Sequence, residues 1–344
     1  MPSDGRINLR LRLEDVVALT FFLLTFSLRL FVRGFGYVKL TPADVLVIIP
    51  AVTLLLAKEF VHYFWVAGRQ PATGGGLRDF VRPYWEIARD WFPFLLILLM
   101  YYSLWGDATH LLVPRDRDAE LIALDQKLFG FQASVAMQRF ISQPLTAWME
   151  FAYTFHVLNI PIVACFVYLR RPRPRFREMM VGVLVVTFFG LIGYLLVPAV
   201  GPMYTLRNQY SVPLAAPLEI VNRQIEFMDY ARIQRDVFPS LHVGISFVVW
   251  LYAYRNSRRL FWILAPVILS LFVSTVYLRY HYLVDVVAGL VLAPLCFLFA
   301  NWLFKRAGDV QLTLNLPAGW VEQLHRWGWL REPAPVAEKA EERR

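Results

Sequence analysis

The sequence is poor in charge and in cysteine. Only 18% of its 344 residues are charged and 58% are hydrophobic, whereas soluble domains carry about 25% charged residues. The two cysteines, Cys165 and Cys296, are not spaced as metal ligands and cannot build a disulfide framework. These shortages exclude a disulfide-rich secreted domain and a cysteine-type zinc module, and they direct attention to the apolar residues.

The apolar residues fall in long blocks. The block Phe261–Leu278 carries no charge and is long enough to cross a bilayer as a helix. The sequence therefore predicts an all-α, polytopic membrane bundle with about eight transmembrane helices. The predicted spans are residues 15–33, 43–65, 91–105, 145–168, 179–198, 241–254, 261–280 and 283–304. Arg29 and Lys58 lie in the first two spans, where their side chains either snorkel to the interface or face the bundle.

Charge in the connections predicts the topology. The connection Arg170–Met179 holds five arginines against one glutamate, and Arg255–Arg259 holds three arginines and no acid. With eight spans, both connections and Lys305–Arg306 lie on one side, which the positive-inside rule makes cytoplasmic. We therefore attribute the net charge of +9 to basic loops and anionic lipid, and expect no nucleic-acid partner. We place the protein in the plasma (inner) membrane.

Two stretches carry residues suited to phosphoester chemistry, and both face the exoplasmic side in this topology. The second stretch, Ser274–Gly289, contains His281 and Asp285, which share a face if the segment is helical. A carboxylate on one imidazole nitrogen fixes the tautomer and leaves the other nitrogen to attack phosphorus. The first stretch, Phe238–Gly244, contains His242, which can protonate a leaving oxygen.

A bound phosphate needs hydrogen-bond donors and cations around it. Ser240 is placed to cap the helix that follows it, and the positive end of that helix favours a phosphate. The cation candidates are Arg279, two residues before His281, and Arg207 in the exoplasmic segment 199–240. Arg232 and Arg235 in that segment are alternatives.

The two stretches resemble the second and third signature motifs of the type 2 phosphatidic acid phosphatase superfamily. The resemblance covers mainly residues 145–304 and implies a helical membrane bundle with a six-helix phosphatase-like core. It also implies that His281 is the nucleophile, Asp285 its orienting group and His242 the general acid. Thr275 stands where that family usually has arginine, and the family's first motif is not found in the exoplasmic loop.

These departures are similar to the branch that contains inositol phosphorylceramide synthase. The shared patterns are Tyr277–Asp285, the Pro-Ser-Leu-His motif, and a Tyr-x-x-His-x-x-x-x-Pro run matched by Tyr153, His156 and Pro161. The resemblance implies transfer of a phospho-headgroup between lipids, with Tyr153 and His156 as candidate substrate contacts. His156 is equally well explained as a hydrogen-bonded histidine of the bundle.

On this reading the chain has three regions. Residues 1–90 form membrane helices and a cytoplasmic loop at 67–90, residues 91–306 the catalytic bundle, and residues 307–344 an interfacial segment and a disordered tail. Two other functions stay open: a lipid phosphate phosphatase on the same scaffold, and a transporter in which Asp and His relay protons. We expect no cofactor and no metal, because two histidines and one aspartate suit the nucleophile role and no further ligand is evident.

Overall fold

The computed structural model describes residues 6–33, 44–63, 77–104, 113–214, 235–315 and 317–326. About 80% of them are helical, as the sequence predicts. The helices are α1 Leu13–Arg33, α2 Ile49–Val61, α3 Leu77–Tyr102, α4 Asp118–Phe129, α5 Ala133–Ala136, α6 Gln143–Arg170, α7 Arg173–Leu196, α8 Pro202–Thr205, α9 Leu241–Asn256, α10 Arg258–Tyr277, α11 Leu283–Arg306 and α12 Ala318–Arg326. A π-helical turn, Asp44–Ile48, precedes α2, and short 3₁₀ turns follow α5 and α8.

Four of the described helices are long and apolar enough to cross a membrane: α6, α7, α10 and α11. They indicate an integral membrane protein. Helix α9 has only 16 residues, yet it lies at the centre of the bundle and packs against all four. The predicted total of eight spans and the six-helix core are not confirmed by the described residues.

Short polar segments set the ends of these helices. Ser257 separates α9 from α10, and its hydroxyl caps α10 by accepting a hydrogen bond from the backbone N–H of Leu260 at 3.2 Å. Only Arg171 and Pro172 separate α6 from α7, and a proline is well suited to the start of a helix because its ring fixes φ. The apolar segments are therefore joined as antiparallel hairpins.

Helix α3 differs from the prediction. It begins at Leu77, so residues 77–90 are helical, whereas the sequence had suggested a loop at 67–90. Pro83 and Pro93 lie inside the helix without ending it. The polar residues of this stretch made it look like a connection, but they continue an amphipathic helix toward the apolar half.

A two-stranded sheet is an addition to the predicted all-α architecture. Strand β1, Arg6–Leu11, pairs antiparallel with β2, Val310–Asn315, with Leu9 opposite Leu312. The sheet joins segments near the two ends of the described chain. Trp327, Trp329 and the predicted disordered tail lie outside the described residues.

The bundle has two chemically different ends. We call the end where α7 finishes and α9 and α11 begin the histidine end, and the opposite end, with the sheet, the arginine end. At the arginine end Arg171 donates to the backbone carbonyl of Asn256, and Arg255 pairs with Glu178 at 3.1 Å. The three basic connections identified in the sequence thus lie together, and both histidine stretches lie away from them.

Buried charges join the first three helices near the arginine end. The Lys58 ammonium lies 2.6 Å from Asp15 and 3.2 Å from Glu59, and Arg89 contacts the other oxygen of Glu59 at 2.6 Å. All four side chains are buried. Lys58 therefore faces the bundle, which decides one of the two alternatives left open by the sequence; the Arg29 side chain is outside the described part of the chain. Such a network stabilises only while every charge keeps its partner.

Replacing Lys58 by methionine is expected to destabilise the protein by about 3 kcal/mol, because Asp15 would stay buried without its cation. Thermal unfolding in detergent measures the effect. Arg115→Met is the matched control, since the Arg115–Glu120 pair is exposed and its loss costs about 1 kcal/mol at most. Equal melting temperatures for the two variants would contradict a stabilising role of the network.

Candidate active site

His281 and Asp285 meet at the start of α11. The Nδ1 atom of His281 lies 3.5 Å from Oδ2 of Asp285, and both side chains are buried. His281 precedes α11 by two residues, so the pair does not share a helix face as expected. Instead, Asp285 Oδ2 also accepts the backbone N–H of Tyr282 at 2.8 Å and so closes the first turn of α11. One carboxylate thus caps the helix and faces the imidazole.

The Phe-Pro-Ser-Leu-His stretch docks directly on this turn. The backbone N–H of Ser240 donates to the carbonyl of Asp285 at 3.1 Å. The Ser240 hydroxyl accepts from the backbone N–H of Val243, so the predicted capping of α9 is confirmed. Gly289 allows this approach, because a Cβ there would lie 2.6 Å from the Ser240 carbonyl oxygen. The two motifs are joined through their backbones as well as their side chains.

Three rings gather around His242. Its ring centroid lies 5.8 Å from that of His281, 4.7 Å from His156 and 4.5 Å from Tyr153, on which it stacks at 25°. The His156 Nδ1 atom lies 3.1 Å from the Ser246 hydroxyl, which holds this ring against α9. The structure therefore brings five predicted site residues together, namely His242, His281, Asp285, Tyr153 and His156; their chemical roles stay predictions.

An apolar cavity of about 370 Å³ leads to both histidines. Its walls come from α3, α6, α7 and α9, with Asp236, Val237 and Tyr280 at the histidine end. The residues that line it are mostly aliphatic or aromatic, for example Phe94, Ile97, Leu98, Val157, Ile160 and Ile245. Its composition suits a hydrocarbon chain, and its polar groups are concentrated where the histidines lie.

Arg279 and Arg207 line a neighbouring cavity of about 450 Å³, which shares Tyr280 with the first and also contains Glu150. Arg279 is buried at a positive φ of 68°, uncommon for a residue other than glycine, and burial lowers the pKa of its guanidinium. Its side chain stacks over Tyr210 at 4.0 Å and donates to the Val212 carbonyl. The predicted phosphate-binding arginines are thus adjacent to the histidine cavity rather than on its lining.

The other predicted phosphate contacts lie differently. Ser240 is buried and lines neither cavity, and its hydroxyl caps α9. Arg235 is buried and pairs with Asp116 at 2.5 Å, while Arg232 lies outside the described residues. Phosphate binding by Arg279, Arg207 and Ser240 stays a prediction.

Two acidic residues that sequence analysis did not identify bind the segments next to the candidate site. Asp125 on α4 accepts the backbone N–H groups of Leu283 and Val284 at 3.0 and 2.8 Å. Asp118 accepts from the Tyr282 hydroxyl at 2.8 Å and from the backbone N–H of Gly201 at 2.9 Å.

Helix α4 thus anchors the start of α11. The overlooked signal was the seven-residue spacing of Asp118 and Asp125, which places both carboxylates on the same side of the helix as buried Leu121. Burial raises the pKa of Asp125, as expected for a carboxyl group turned into the protein.

Asp125→Asn is expected to lower turnover about tenfold or more with the helical content unchanged, because the amide cannot accept both N–H groups that fix the turn carrying His281. Circular dichroism and turnover measured on one preparation test this. Glu120→Gln, on the exposed side of the same helix, serves as the control. If the two variants are equally active, α4 does not position the site.

The model of the PAP2 superfamily matches residues 119–299, more than half of the 344-residue chain. The match includes both histidine motifs and reaches from α4 into α11. No curated protein and no solved structure shows significant similarity to the chain. The matched range, together with the paired motifs and their geometry, establishes that this chain belongs to the PAP2 superfamily.

Proposed function

We propose that the protein is a membrane phosphotransferase that moves a phosphate or phospho-headgroup on a lipid through a phosphohistidine. Membership of the PAP2 superfamily supports a lipid phosphatase or phosphotransferase type of function. The observation that carries the proposal is the meeting of His281, Asp285 and His242 at the end of an apolar cavity.

In the first step His281 attacks phosphorus. Because Nδ1 faces Asp285, Nε2 is the nitrogen that supplies the electron pair, and the negative carboxylate stabilises the positive imidazole that forms. The N–P bond forms as the P–O bond to the leaving group breaks. His242 gives its proton to the leaving oxygen, which otherwise departs as a costly alkoxide. The centroid separation of 5.8 Å is short enough for one phosphoryl group to contact both rings.

In the second step an acceptor hydroxyl attacks the phosphohistidine. The neutral His242 takes the proton of that hydroxyl, the new P–O bond forms, and the N–P electron pair returns to His281. Positive groups near the phosphoryl oxygens lower the barrier of both steps. We assign this role to Arg279 and Arg207, whose cavity meets the histidine cavity at Tyr280, and to the Ser240-capped start of α9.

The acceptor decides between two reactions. The Pro-Ser-Leu-His motif, the Tyr277–Asp285 pattern and the Tyr153–His156 pair favour transfer to a lipid hydroxyl, as in the inositol phosphorylceramide synthase-like branch. Hydrolysis by water is the second candidate, because the superfamily generally contains phosphatases. The arginine end indicates the cytoplasmic side, so we propose that the site works at the exoplasmic surface of the plasma (inner) membrane.

His281→Ala and His242→Ala separate the two histidine roles. Removing the nucleophile should abolish turnover of every phosphoester. Removing the acid should lower turnover about 10²- to 10⁴-fold for esters with basic alkoxide leaving groups, and much less for p-nitrophenyl phosphate, whose leaving group needs no proton. Turnover by folded His281→Ala protein would rule out His281 as the nucleophile.

Purified protein supplied with a lipid phosphoester, with and without a hydroxyl-bearing lipid, identifies the acceptor. Transfer predicts that the phosphorylated acceptor lipid accumulates and that little free phosphate or free headgroup phosphate is released. Both assays are run in EDTA, because the proposed chemistry uses no metal. Release into water alone, at a rate unaffected by the second lipid, would select hydrolysis.

A further inference from the structure

One wall of the histidine cavity comes from a helix outside the part of the chain that matches the PAP2 superfamily. The matched range begins at residue 119, whereas α3 ends at Tyr102. Helix α3 packs on α1, α2 and α7. It contributes a stripe with helical spacing to the cavity: Phe94, Ile97, Leu98, Tyr101 and Tyr102. A helix added to the matched fold therefore shapes the space next to the catalytic histidines.

Exposed side chains of α3 and α6 that also line the cavity indicate an opening between these two helices. Near the arginine end they touch, since the rings of Trp91 and Tyr168 lie 5.7 Å apart and the Tyr168 hydroxyl donates to Asp90 at 3.2 Å. At the histidine end the Tyr101 hydroxyl donates to Asp236 at 2.8 Å, which ties α3 to the segment before the Phe-Pro-Ser-Leu-His motif. Between these two contacts, α3 and α6 expose side chains that also line the cavity to the outside of the bundle.

The rim of the opening is apolar. Leu98 on α3 is 46% exposed and Val157 on α6 is 56% exposed, and both also line the cavity. Ten residues of helix separate Trp91 from Tyr101, about 15 Å at 1.5 Å per residue. That length is about half of the hydrocarbon thickness of a bilayer. In a membrane protein such a rim faces lipid chains, because polar headgroups and water would leave these side chains poorly solvated.

We propose that this opening is a lateral passage through which the hydrocarbon chain of a lipid phosphoester enters the cavity from the leaflet at the histidine end. The chain lies against Phe94, Ile97 and Leu98, and the phosphate reaches His281 and His242. The inference rests on the proposed function. It adds the leaflet from which the substrate enters, the path that it takes and the helix that binds its hydrocarbon chain.

The geometry explains why the two ends of the cavity differ. A lipid that stays in its leaflet keeps its headgroup at the surface and its chain in hydrocarbon throughout, so neither part has to cross an unfavourable medium. The histidines lie at the surface end of the passage and the aliphatic side chains lie deeper, in the same order as headgroup and chain. An opening toward water would require the chain to leave the membrane before binding.

Tryptophan substitutions at the rim test the passage. Leu98→Trp and Val157→Trp narrow it, whereas Leu95→Trp adds the same bulk to an exposed position of α3 that does not line the cavity. For each protein, in vesicles that also contain the hydroxyl-bearing acceptor lipid, we would measure kcat/KM for a long-chain lipid phosphate and for water-soluble p-nitrophenyl phosphate. The ratio of the two values is the readout, because it cancels changes in the amount of folded enzyme.

The ratio is expected to fall about tenfold or more for both rim variants and to match the unmodified protein for Leu95→Trp. An unchanged ratio in both rim variants would overturn the passage. An equal fall of the ratio in Leu95→Trp would also overturn the passage, because added bulk anywhere on α3 would then explain the effect. If the unmodified protein turns over neither substrate, the proposed function fails instead, so the two failures are distinguishable.

Discussion

The carboxylate of Asp285 is the contact on which the site depends. It faces His281 at 3.5 Å, accepts the backbone N–H of Tyr282, and belongs to the residue whose carbonyl receives the N–H of Ser240. A fully buried acid is costly unless it is held in such a network. The cost is offset because one residue closes the first turn of α11, faces the imidazole and receives the backbone N–H of the second motif. Loss of the carboxylate would remove its contacts with Tyr282 and His281, whereas the backbone hydrogen bond to Ser240 would remain.

Two further carboxylates hold the first turn of α11 in place. Asp118 and Asp125 lie on α4, a helix outside the central group of long helices. They accept hydrogen bonds from the backbone next to the candidate site, at residues 200–201 and 283–284. Carboxylates at a helix N-terminus are stabilised by its free N–H groups and its dipole. Helix α4 thus helps to fix the position of His281 through the backbone of the residues that follow it.

The sequence was a good guide wherever chemistry and spacing coincide. Apolar blocks located the helices, the basic connections identified one end of the bundle, and the short motifs around His242 and His281 predicted residues that the structure brings together. It was a poor guide to features created by tertiary contacts. The pairing of β1 with β2 joins segments about 300 residues apart. Residues 77–90 of α3 looked like a loop because their polar side chains belong to a helix that the bundle completes. The separation of Arg279 from the histidine cavity is associated with the turn before α11, where Arg279 adopts a positive φ that spacing alone does not reveal.

The central claim is that phosphorus becomes bonded to His281. Rapid quenching of the protein with a radiolabelled lipid phosphoester, followed by peptide mapping, tests it most directly, and His242→Ala offers a background in which the intermediate can be followed with an activated ester. The mechanism predicts a base-stable, acid-labile label on the peptide that contains His281, and none in His281→Ala protein. Steady turnover with no label on that histidine at any quench time, or a label on another residue, would contradict the mechanism.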